Sequence, residues 1–67
     1  MSIEFRRHGL TLYAIKDWDT GTAWLAKGKK WLSVSPATVR EVKMDGRVLT
    51  EAEAKDQFPA ADLAGAN

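Results

Sequence analysis

Three tryptophans, Trp18, Trp24 and Trp31, are interleaved with Arg6, Arg7, Lys16, Lys27, Lys29 and Lys30. Aromatic platforms beside cations bind single-stranded nucleic acid, by stacking on bases and pairing with phosphates. The same residue types anchor protein–protein hot spots. Packing offers a competing explanation. A small domain needs large side chains to close its core, so two tryptophans can be core and the lysines solvated turn residues. Trp18 is the tryptophan expected to be exposed, because Asp17-Trp18-Asp19-Thr20-Gly21 has turn chemistry. The candidate partner-binding set is therefore Trp18, Arg6, Arg7, Lys29, Lys30 and Trp24.

Other chemistries find little support. A hydrolase or transferase site needs a nucleophile, a base and an orienting group, or a metal with three or more ligands. His8 is the only histidine, and with Gly9 behind it in an expected turn it reads as an exposed structural residue. Asp17-x-Asp19 opens like a calcium loop, which requires Gly at its sixth position and a bidentate Glu at its twelfth. Here Gly21 stands fifth and Gly28 twelfth, so the match fails. Neither a phosphate-binding glycine loop nor a nucleophile elbow is present. Cysteine is absent, which excludes disulfides and thiolate metal sites. The expectation is a non-enzymatic protein with no cofactor and no metal.

Size and charge narrow the rest. A chain of 67 residues is one domain at most, and at this size only about 60% of the unfolded surface is buried. Apolar content of 45% with three tryptophans suffices for a core. The net charge of +1 is unevenly placed. Residues 1–50 hold nine Lys/Arg against five Asp/Glu, whereas residues 51–67 hold Lys55 against Glu51, Glu53, Asp56 and Asp62. A basic body favours an anionic partner, although it is weaker than the stripes of dedicated nucleic-acid binders. No apolar run follows the N-terminal charges as in a signal peptide, and none approaches the roughly 20 residues that span a bilayer. A cytoplasmic protein with no membrane contact is expected.

The elements that must position these residues are short. Ile3-Glu-Phe-Arg-Arg7 alternates apolar and charged, the mark of a half-buried strand. Leu10–Ile15 favours a second strand, with Leu10, Leu12 and Ala14 on one face. Residues 22–46 admit two readings. In one, Thr22–Ala26 and Lys29–Val34 form a hairpin across Lys27-Gly28, with Ala23, Leu25, Leu32 and Val34 toward the core. In the other, Trp24, Leu25, Gly28, Trp31 and Leu32 share one face of a helix, against which Gly28 and the strand-favouring Thr22 and Trp24 argue. For residues 35–46, Ser35 as N-cap, Pro36 at the first helical position and Gly46 past the end favour a helix. The rival is a hairpin around Asp45-Gly46. Thr50 and Glu53 make a capping box that starts a helix over 50–58, and Pro59 ends it. Residues 60–67 have little to bury and are expected to form a flexible tail beyond a domain of residues 1–59.

The run Val34-Ser-Pro-Ala-Thr-Val-Arg-Glu-Val-Lys-Met-Asp-Gly-Arg-Val48 resembles the second helix of the winged helix-turn-helix in MerR-type regulators and some phage excisionases. The resemblance covers about 15 of the 67 residues, and it implies helices near 23–32 and 36–44 with Thr38, Arg40 and Lys43 approaching DNA. Gly28 and Lys29 stand where the family's first helix usually carries close-packing alanines, Val42 replaces an aromatic, and the strand-like first fifteen residues are extra.

Taken together, the residues predict a small α+β domain: an antiparallel sheet of three to five short strands with a helix at 50–58. The function expected of it is binding a protein or nucleoprotein partner through a basic-aromatic surface. A phage or mobile-element accessory protein that inhibits host machinery by covering a surface, as anti-CRISPR proteins do, fits by size and lack of motifs. The alternative is a sequence-specific DNA binder of the winged type.

Overall fold

Period-2 alternation and tight turns fold the first half of the chain into a meander. In the computed structural model, which describes residues 3–66, this comprises β1 (Glu4–His8), β2 (Thr11–Asp17), β3 (Thr22–Lys27) and β4 (Lys30–Ser33). A helix, α1 (Pro36–Asp45), follows, then β5 (Arg47–Leu49), α2 (Glu51–Gln57) and a 3-10 turn at Leu63–Ala66. The strands form one sheet in the order β4-β3-β2-β1-β5, every neighbouring pair antiparallel. The α+β fold and the hairpin reading of residues 22–34 are thus correct. The expected helix over 23–32 is instead the β3–β4 hairpin, so the chain is no winged helix-turn-helix. Local preference decided this: Thr22 and Trp24 favour strands, and Gly28 sits in the turn at φ 62°.

Because α1 and α2 lie on opposite faces, the sheet carries two half-cores. On one face Tyr13, Ile15 and Ala23 pack with Val39 and Val42 of α1. On the other, Phe5, Leu12, Ala14 and Leu49 pack with Ala54, Leu63 and Ala66. The central strand β2 is therefore buried from Leu12 through Ile15, which explains its nearly continuous apolar run. Leu10 precedes this strand and is exposed in the β1–β2 turn, not on a face with Leu12 as expected. Leu32 is also exposed: α1 packs mainly on β1 and β3 and leaves this residue of edge strand β4 uncovered.

Two caps set the helices. Ser35 Oγ accepts from the Thr38 N–H at 3.3 Å, and Pro36 occupies the first turn of α1. Gly46 ends α1 with an extended backbone at φ −77°, donating its N–H to the Val42 carbonyl at 2.7 Å. A Cβ on Gly46 would stand 2.3 Å from that oxygen, so close approach, not a left-handed turn, requires glycine there. In α2 the predicted capping box is complete: Glu53 N–H donates to Thr50 Oγ1 at 3.1 Å, and Thr50 N–H donates to Glu53 Oε1 at 3.0 Å.

The expectation that residues 60–67 have little to bury needs correction. Leu63 and Ala66 are buried, and the Trp31 indole N–H donates to the Asp62 carbonyl at 2.8 Å; Asn67 lies outside the described residues. The physical reason is that Trp31, Trp24 and Phe58 leave an apolar surface on this face that α2 alone does not cover.

Two outcomes follow from this packing. Truncation after Pro59 should cost about 2–3 kcal/mol, from the loss of Leu63 burial and the indole hydrogen bond. That corresponds to a fall of roughly 15–20 °C in the midpoint of thermal unfolding, and an unchanged midpoint would contradict the docking. The second concerns acid. The Thr50 N–H and hydroxyl bonded to Glu53, with Arg47 nearby, hold its carboxyl pKa below the usual 4.5. Its stabilising contribution is therefore complete above the unfolded value and lost as pH falls through the lowered one. Thermal melts should show Glu53→Gln, which keeps the box without a charge, losing less stability on acidification than the wild type. Equal losses would refute this.

Candidate functional site

Trp18 is displayed by the turn between β2 and β3. A bulge at Ile15/Asp17 places Lys16 as an extra residue just before that turn, the kind of irregularity that re-aims a neighbouring side chain. Asp17 Oδ1 then accepts from the Asp19 N–H at 2.9 Å and closes the turn. Gly21 is required twice over: its φ is 72°, and a Cβ there would lie 3.1 Å from the Pro36 ring. The turn consequently rests against the start of α1.

Half-buried, Trp18 packs beside the half-core that α1 covers. The Arg6 guanidinium carbon lies 5.0 Å from the centroid of its ring, and Lys43 Nζ lies 5.7 Å from it. Each is within the range of cation–π attraction, about 0.5–2 kcal/mol depending on desolvation. Arg6 has further work at the end of α1. Its Nη1 donates to the carbonyls of Lys43 at 3.1 Å and Gly46 at 3.4 Å, while its Nε pairs with Glu4. A cation here meets carbonyls that the helix leaves unpaired and complements its negative end. Arg6 is thus a strut between β1 and α1 as well as a neighbour of the tryptophan.

Between the Trp18 turn and α1 lies an open cleft of about 180 Å³. Trp18, Asp19 and Thr20 form one wall and Val39, Arg40 and Lys43 the other. Ligand pockets for drug-sized molecules run from about 300 Å³ upward. This cleft matches a single side chain or a compact anion. Exposed Arg40 and Lys43 give it a basic rim, with Asp19 the one acid on its lining.

The expected partner-binding residues separate into three places. Trp18 and Arg6 meet at the cleft. Arg7 points to the other face, where its Nε donates to the Gly9 carbonyl at 2.9 Å and its Nη1 to Gln57 Oε1 at 3.0 Å. Its guanidinium also lies 6.0 Å from the Phe58 ring. Trp24 is half-buried against the Phe5 half-core. Lys29 and Lys30 are exposed at the far end of β3 from Trp18, roughly 17–20 Å away by strand rise.

Of the residues named by the DNA-binding resemblance, Thr38 is engaged at the Ser35 cap. Arg40 and Lys43, the other two, join Trp18 at the cleft. What sequence reasoning missed is this union of two sets that it had kept apart. Its one local signal is the spacing of Arg40 and Lys43, three residues apart and hence on one helical face. A second grouping also went unread: ligand atoms of His8, Glu41 and Asp45 lie within 4.8 Å of one another.

No helix among the described residues is long and apolar enough to cross a membrane. No family model, curated protein or solved structure matches the chain.

Proposed function

We propose that the protein acts by binding, without chemistry of its own, and that its working surface is the cleft of Trp18, Arg40 and Lys43 braced by Arg6. The supporting observation is the placement of a half-buried tryptophan beside two cations at the mouth of a side-chain-sized cleft. Tryptophan and arginine are the residues in which interface energy concentrates. Here the ring is held in place before any partner arrives, which lowers the entropy lost on binding. A basic rim around an aromatic wall suits an acidic side chain on a protein or nucleoprotein partner. A role as an inhibitor that covers the surface of a larger machine belongs to the same proposal.

Affinity capture with the tagged protein tests it. The double variant Arg40→Glu/Lys43→Glu should weaken capture of the wild-type partner at least tenfold, about 1.4 kcal/mol. Lys29→Glu/Lys30→Glu, at the other end of β3, should leave it within about threefold, as expected of charges that act only by steering. Trp18→Ala should lose about 2 kcal/mol or more of binding. The reverse ranking of the two double variants would move the working surface to the β3–β4 turn. A steep loss of binding to a DNA duplex with added salt, reduced by the Arg40/Lys43 pair, would replace the protein partner with nucleic acid.

A further inference from the structure

At the opposite edge of α1 from the cleft, the fold assembles three potential metal ligands from two elements. Glu41 and Asp45 are four residues apart on α1 and project from the same side of the helix. His8 ends β1, the strand whose Arg6 reaches the last turn of α1. One ligand atom from each, an imidazole nitrogen and two carboxylate oxygens, lies within 4.8 Å of the others.

Two carboxylates meet the C-terminal end of α1 at this corner. Like charges at this helical spacing repel. Asp45 is also the final residue of α1, where the helix presents its negative end. Yet among the described residues neither carboxylate has an ion pair or hydrogen bond. The nearby Arg6 is committed to Glu4 and to the carbonyls of Lys43 and Gly46. The His8 ring lies 6.5 Å from that of Tyr13, tilted by 55°.

We propose that His8, Glu41 and Asp45 bind one divalent transition-metal ion of the zinc class. The mixed donor set distinguishes this corner from a cluster of acids. Imidazole favours zinc, nickel or cobalt over magnesium and calcium, which prefer oxygen alone. Bonds of about 2.0–2.2 Å place tetrahedral ligands roughly 3.3 Å apart. The observed spacing closes to that by rotamer changes of two exposed acidic side chains. Three protein ligands leave at least one coordination position for water. A metal here would bridge β1 to the end of α1, doubling the junction that Arg6 holds.

Thermal unfolding with zinc chloride or magnesium chloride, together with titration calorimetry, tests the site on the intact chain. Zinc at about 100-fold over its dissociation constant should raise the unfolding midpoint on the order of 10 °C, with one ion bound per chain. Magnesium should have no comparable effect. His8→Ala and Asp45→Asn should each fold and lose the zinc-dependent rise. An absent rise in the wild type, or an equal rise in both variants, would overturn the proposal.

Discussion

The constraint on which this structure turns is that a short chain without disulfides has made both faces of its sheet apolar. β2 cannot be exposed on either side, since Leu12 and Ala14 face one way and Tyr13 and Ile15 the other. The chain must therefore cover the sheet twice. It does so by crossing from edge strand β4 over one face in α1 to reach β5 at the far edge, then returning over the other face in α2 and the 3-10 turn. Neither layer is thick, and each buried side chain is a large share of its half-core.

The candidate surface is a consequence of that crossing. α1 starts against the β2–β3 turn, where Gly21 meets Pro36, and ends over β1, where Arg6 reaches its last carbonyls. The helix thereby carries Arg40 and Lys43 past the one tryptophan that a turn displays. Arg6 couples fold and surface: the guanidinium that anchors the helix also lies beside the Trp18 ring. The uneven charge of the chain has a spatial counterpart. The cleft lined by α1 has a basic rim, while α2 on the opposite face bears Glu51, Glu53 and Asp56 against Lys55. Such a separation of charge would orient the proposed partner before contact.

Much of the fold was legible where local signals agreed. Alternation gave β1, the Thr50–Glu53 box gave α2, and Ser35-Pro36 pointed to the helix that the competing Asp45-Gly46 turn had obscured. What could not be read was long-range. The burial of Leu63 and Ala66 depends on Trp31 and Phe58 leaving surface to cover, and no period in residues 60–67 announces it. The winged-helix resemblance read a true helix but the wrong neighbours, because packing on a sheet is not encoded in the helix's own sequence. At the site, Trp18 was identified from turn chemistry, whereas Arg6 and Lys43 came together only through the pairing of β1 with β2 and the crossing of α1. Arg7, adjacent in sequence to Arg6, was placed with it. Strand alternation sends the two side chains to opposite faces.

The proposed surface, on which everything functional here rests, is the Trp18 cleft. The most direct measurement is chemical-shift mapping by nuclear magnetic resonance on the labelled protein as its captured partner is added. Binding at the cleft should give the largest changes at the Trp18 indole and at the amides of Thr20, Arg40 and Lys43, with α2 and the Lys29–Lys30 turn nearly silent. Changes centred on α2, on the open edge of β4 or on Lys29 and Lys30, with Trp18 unmoved, would contradict it.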